Sequence, residues 1–128
     1  MVTWHRARKR KSTGGLYRPI ADKRKSDLGR TAALTKVSEK EKVNVIRVKA
    51  AGTKLRALSL KTANVYDPKT KKFSKADIKK VAENSASRHF ARMSVMTKGA
   101  VIETSLGKAK VTNRPGQEGH INAVLLEK

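Results

Sequence analysis

The sequence predicts a mainly β protein: a small twisted, barrel-like domain over residues 31–128, preceded by an extended basic arm over residues 1–30. Three observations lead there. Short runs rich in β-branched residues recur from Val43 onward, separated by turn-forming residues. Aromatic residues make up only 4% of the chain, which suits a small β domain of short strands. The first thirty residues, by contrast, hold ten Lys or Arg against two acids, Asp22 and Asp27.

No apolar periodicity accompanies the charge of the arm. It has little to bury, so it cannot offset the conformational entropy of folding alone and is expected to become ordered on a polyanion. Its ten cations are Arg6, Arg8, Lys9, Arg10, Lys11, Arg18, Lys23, Arg24, Lys25 and Arg30. Lys-Arg-Lys-Ser occurs twice, at 9–12 and 23–26, and each copy offers ammonium and guanidinium donors suited to phosphate oxygens. The two copies are offset by fourteen residues, so corresponding positions, fully extended, lie up to ~46 Å apart at about 3.3 Å per residue, enough to cross from one nucleic-acid helix to another. Between them, Ser12-Thr13-Gly14-Gly15 lets backbone approach a sugar-phosphate chain closely. Trp4, His5 and Tyr17 supply flat faces for stacking on bases or ribose. A plain basic tail would read as an import signal or a solubilising extension; the interleaved aromatics, glycines and proline set this arm apart.

The body opens with a strand over 43–48, broken by Ala50-Ala51-Gly52-Thr53 and followed by a strand over 54–61, with Leu58 and Leu60 on one face. The short spacing predicts an antiparallel hairpin. Ala63-Asn64-Val65-Tyr66 is a third strand, closed by the turn Asp67-Pro68-Lys69-Thr70. Over 73–93 the periodicity of Ile78, Val81 and Ala82 favours a helix capped by Ser74, interrupted at 84–87, with one further helical turn at 88–93. Residues 100–104 and 108–112 flank Ser105-Leu106-Gly107, a three-residue hairpin connection. A tightly turned loop, 113–119, leads to a last strand, 120–127, with Ile121, Val124 and Leu126 facing the core.

Composition also excludes functions. Without cysteine there is no disulfide and no thiolate zinc site. His5, His89 and His120 lack metal-ligand spacing, Gly14-Gly15 belongs to no phosphate-binding glycine motif, and the ten acids are dispersed, with Glu83, Glu103 and Glu118 placed to pair with Lys or Arg rather than to gather a metal. No enzyme, cofactor, metal site or small-molecule substrate is expected. No apolar run approaches the ~20 residues that span a bilayer, and no hydrophobic segment follows the basic N-terminus as in a secretory signal; a soluble, intracellular protein with no membrane partner is expected. A formal charge of +21 calls for an anionic partner, and nucleic acid suits it best. In the body Lys54, Arg56, Arg88, Arg92, Lys98 and Arg114 are candidates for a second nucleic-acid face.

Taken together, several stretches resemble the archaeal members of one ribosomal protein family, small-subunit protein eight of the eukaryotic and archaeal type (the S-eight-e family), over nearly the whole chain. They are Trp4 with its basic run, Ser12-Thr13-Gly14-Gly15, Lys23-Arg24-Lys25, Lys54-Leu55-Arg56-Ala57-Leu58, Ala63-Asn64-Val65, Val81-Ala82-Glu83-Asn84, residues 97–104, and Val111-Thr112-Asn113-Arg114-Pro115-Gly116-Gln117. Residues 88–93 depart from that pattern. The resemblance implies a β-barrel-like core seated on small-subunit ribosomal RNA, with the arm threading between RNA helices, neighbouring small-subunit proteins as partners, and a cytoplasmic location in the small subunit. It implies a strand over 79–84, which is followed against the periodicity; 74–93 as a whole stays open between strand and helix. A related family of ribosome-assembly factors shares the domain and is an alternative role. A DNA-compacting chromatin protein of similar charge is another.

Overall fold

The computed structural model describes residues 3–5, 10–17 and 24–126. The chain divides into two compact units, Met1–Ala32 and Ala33–Lys128. In the first, β1 (Thr3–Trp4) pairs antiparallel with β2 (Leu28–Gly29). One turn of 3-10 helix, Lys25–Asp27, leads into β2, and the His5 amide donates to the Asp27 carbonyl at 2.9 Å. None of the described residues of this unit is buried.

The second unit is built of eight strands. β3 (Lys36–Val37), β4 (Lys42–Arg47) and β5 (Thr53–Leu60) form a sheet in the order β3-β5-β4. β6 (Thr62–Asp67), β7 (Lys72–Glu83), β8 (Val101–Thr104), β9 (Gly107–Val111) and β10 (Asn122–Leu125) close into a barrel in the order β10-β6-β7-β8-β9. The barrel's β6–β7, β7–β8, β8–β9 and β9–β10 pairs are antiparallel, and the closing pair β10–β6 is parallel. Closure removes the sheet edges that would otherwise invite aggregation. Two short helices, α1 (Arg88–Arg92) and α2 (Pro115–Glu118), sit in the connections.

Alternation along the strands fills one core. Val65, Ile102, Ala109, Val111, Ile121 and Ala123 are all at most 2% exposed, and Ala57, Leu60 and Met96 join the same cluster. Many of these side chains are small, as a narrow five-stranded barrel requires. Thr35 is buried with them and its hydroxyl is satisfied, donating to the Ala57 carbonyl at 2.6 Å.

The mainly β, barrel-like class expected from the sequence is the one observed, and five local readings change. The first concerns residues 74–83, which are strand and not helix. β7 carries two register irregularities against β8, between Ile78 and Lys80 and between Val81 and Glu83. They place the inward residues at Ala76, Ile78 and Val81, so the spacing runs two and then three and imitates a helix. The strand implied over 79–84 holds to Glu83, and the helical turn expected after residue 87 is α1, where Ser87 Oγ accepts from the His89 amide at 3.2 Å.

Second, Thr104 pairs directly with Gly107, so the hairpin connection has two residues, Ser105 and Leu106, not three. Third, on β5 the deeply buried pair is Ala57 and Leu60 with Leu58 only half-buried, because a bulge sets Lys42 opposite Ser59 but Val43 opposite Ala57. Fourth, residues 113–119 contain a helical turn, α2. Fifth, Leu126 is 40% exposed and Ala123, not Val124, points into the core, because pairing on both sides holds β10 in strict alternation. Glu127 of the expected last strand lies outside the described residues.

Candidate nucleic-acid interface

In the first unit the chain folds back on itself at the Ser-Thr-Gly-Gly stretch. Arg10 bridges to Leu16, the Lys11 amide donates to the Gly15 carbonyl at 2.8 Å, and the Gly14 amide donates to the Lys11 carbonyl at 2.9 Å. Arg10 Nη1 donates to the Gly14 carbonyl at 2.8 Å, one of the five N–H donors of its planar fork. Lys11 Nζ stands 5.5 Å from the centroid of the Tyr17 ring, within cation–π range. Arg10, Lys11, Ser12, Thr13, Gly14, Gly15 and Tyr17 are all exposed. The turn thus gathers two cations, two hydroxyls and an aromatic face on one short loop.

His5, Arg24, Lys25 and Arg30 of the same unit are also exposed. The Trp4 side chain, Arg6, Arg8, Lys9, Arg18 and Lys23 lie outside the described residues. Each Lys-Arg-Lys-Ser copy is therefore seen from its arginine onward.

The second unit scatters its expected cations. Lys54 Nζ donates to Gln117 Oε1 at 2.8 Å, which ties β5 to α2. Arg114, exposed, is the residue before the first turn of α2, and Arg56 is half-buried on β5 opposite Asn44. The structure thus groups Lys54, Arg56 and Arg114 on β5 and α2. Arg88 and Arg92 are exposed one helical turn apart on α1, and exposed Lys98 precedes β8. The sequence pattern does not single out Lys69, Lys79 and Lys108, which line one groove at the end of the barrel together with Asp67, Glu103 and Leu106. Their signal is register, and register is not written locally.

Glu41, Asp67, Glu103 and Glu118 are each engaged by a neighbouring group. Glu103 lies 3.4 Å from Lys80 Nζ, and Glu118 accepts from Asn113 Nδ2 at 2.9 Å and lies 3.7 Å from His120 Nε2. The Thr62 hydroxyl and the Lys61 amide hold the Glu41 carboxyl below its ordinary pKa. The Lys69 amide and the Thr70 hydroxyl do the same for Asp67. Among the described residues no cluster of His, Asp or Glu is arranged to hold a metal ion, and no helix is long and apolar enough to cross a membrane.

Comparison with known proteins gives a consistent result. The family model described as ribosomal protein S8e matches residues 4–126. Small ribosomal subunit protein eS8 of Methanococcus aeolicus is 43% identical over 126 residues, 98% of each chain. Its counterpart in Methanococcus maripaludis strain C6 is 46% identical over the same share. That of Methanocorpusculum labreanum is 47% identical over 98% of this chain and the whole of the relative.

Proposed function

The chain belongs to the ribosomal protein S8e family, and from that membership we propose that it binds folded small-subunit ribosomal RNA and steadies it through two basic surfaces. One is the arm over residues 1–30; the other is the basic face of the β domain over residues 31–128. As a member of a family of structural ribosomal proteins it is not an enzyme. Its place is the small ribosomal subunit, in the cytoplasm, beside neighbouring small-subunit proteins.

The observation that carries this reading is the separation of charge from core. The described cations of the first unit are exposed, and no described residue there is buried. Exposed charge contributes little to the protein's own stability, whereas phosphates crowded between RNA helices repel one another and gain from neutralisation. Arm cations would bind phosphates, Trp4, His5 and Tyr17 would stack, and Ser12 to Gly15 would bring backbone against ribose. Lys54, Arg56, Arg88, Arg92, Lys98 and Arg114 would hold the domain on the RNA through its phosphates, with shape and not base sequence setting specificity.

The test is a full-length chain with Arg10, Lys11, Arg24 and Lys25 changed to Gln, titrated with small-subunit ribosomal RNA over a range of salt. Each lost phosphate contact flattens the log–log salt slope by about 0.7 to 0.9. An unchanged slope and affinity would overturn the role given to the arm. Competition with duplex DNA separates the chromatin reading: a preference for DNA over structured ribosomal RNA would favour it.

A further inference from the structure

The outer wall of the barrel carries a surface that the arm and the cations named above do not include. Residues opposite one another in register share a face. One row across the wall reads Lys110, Val124, Tyr66 and Phe73. The next holds Asn122, Asn64 and Lys75, with Thr112 at its end bonded to the Asn122 carbonyl. Their neighbours along the strands, Ala109, Val111, Ala123, Val65 and Ala76, are buried in the core, so both rows point outward.

Three features of this wall go together. Phe73 is 77% exposed, a costly place for an apolar ring in water. It is held there against Tyr66, with ring centroids 4.8 Å apart and planes at 43°, so an exposed ring face is in place before any ligand arrives. Beside the rings, Asn64 Nδ2 donates to Asn122 Oδ1 at 3.2 Å, setting two amides, each with donor and acceptor atoms, in the middle of the wall. Lys75 and Lys110 stand at opposite margins, three strand spacings or roughly 14 Å apart. Neither row contains a carboxylate; the nearest on this face is Asp77, one pair farther along opposite Thr62.

We propose that this wall, formed by β9, β10, β6 and β7, is a stacking site for unpaired nucleotides of RNA. A base lies on Phe73 and Tyr66, its edge meets Asn64 and Asn122, and the flanking phosphates meet Lys75 and Lys110. Charge complementarity selects this occupant. An exposed ring with one ammonium group beside it on β7 and a second across the wall on β9 matches a ligand in which aromatic bases alternate with phosphates, which is the chemistry of a single strand. The inference rests on the proposed RNA binding and adds to it a preference for unpaired over paired RNA.

The test uses the full-length chain and its Phe73→Ala, Phe73→Trp and Lys75→Gln variants, titrated with a short oligouridylate and with a fully paired RNA duplex. Phe73→Ala is expected to weaken oligouridylate about tenfold while leaving duplex affinity and the salt slope unchanged. Phe73→Trp keeps the affinity, and Lys75→Gln flattens the single-strand slope by ~0.7. Matching thermal midpoints show that the variants are folded, as expected at so exposed a side chain. If Phe73→Ala binds oligouridylate as the parent does, or loses duplex to the same degree, the stacking site is refuted. So it is if the variant keeps RNA and loses only a protein neighbour in reconstituted subunits. A parent chain that binds neither RNA would instead overturn the proposed function itself, so the two failures are distinguishable.

Discussion

Changing Gly119 to alanine tests how α2 is seated on the β4–β5 hairpin. Gly119 ends α2 in the left-handed conformation, φ +77, with its amide donating to the Pro115 carbonyl at 3.1 Å. An alanine there first meets the left-handed cost, about 1 kcal/mol or a little more relative to glycine. It then meets a neighbour, because a Cβ at this position falls 2.6 Å from Leu55 Cβ and 3.3 Å from Val43 Cγ1. Leu55 Cβ is fixed to the backbone of β5, which is paired with β4 on one side and β3 on the other, so no rotamer change removes the overlap. Forcing it apart costs about 1–3 kcal/mol.

The sum, about 2–4 kcal/mol, is a large part of the 5–15 kcal/mol typical of a domain. Urea denaturation of the full-length chain, followed by far-ultraviolet circular dichroism, measures it: the midpoint is expected to fall by about 1–2 M with the slope unchanged. Gly14→Ala is the control. That glycine has a similar φ, +84, and nothing within 4 Å of where a Cβ would stand, so only the left-handed cost of about 1 kcal/mol applies and its midpoint should fall by no more than about 0.5 M. A Gly119→Ala midpoint equally close to the parent would refute the seating of α2 on Leu55.

Three further outcomes follow from the same structure. The β4–β5 turn places Ala50 and Ala51 at φ +56 and +57, so the double change Ala50→Asn, Ala51→Gly should stabilise the chain by about 1–2 kcal/mol in the same urea assay. Asn113 bonds Glu118, the His120 carbonyl and the Asn122 amide, and Asn113→Ala should cost about 1–3 kcal/mol. Glu41 Oε1 accepts from the Thr62 hydroxyl at 3.0 Å, and its carboxyl is held below the ordinary pKa chiefly by that bond. Its stabilising effect is therefore complete above the ordinary glutamate range and lost as pH falls through the lowered folded value. Stability against pH for Glu41→Gln should show a shallower acid limb than the parent, and an identical limb would exclude this contribution.

Much of the molecule is legible in local patterns. The β-branched run that becomes β4, the Asp67-Pro68-Lys69-Thr70 turn, where Asp67 accepts from the Lys69 amide and the Thr70 hydroxyl, and the 100–112 hairpin all carry their signal within a few residues. The arm is legible because charge without periodicity is a property of composition. Its turn geometry, with Arg10 on the Gly14 carbonyl, is not, because that bond depends on how the backbone closes.

The misreadings share one cause. Ile78 and Val81 look helical because the irregularities of β7 add residues to an inward row, and those exist only through pairing with β8, a strand that begins eighteen residues after β7 ends. The sequence pattern puts Leu58 on one face with Leu60 and turns Val124 to the core, but a bulge on β5 and two-sided pairing of β10 decide otherwise.

By itself, then, the amino-acid order determined a short-stranded β body, a coreless basic leader and the absence of catalytic spacing, since propensity, turn chemistry and net charge act over a few neighbouring residues. Closure of the barrel by the parallel β10–β6 pair, and with it the outward alignment of Tyr66, Phe73, Asn64, Asn122 and the two lysines, was decided only by the tertiary structure. Strand register is a relation between segments up to sixty residues apart in this chain, and the hydrogen bonds and packing that select it do not exist until those segments meet.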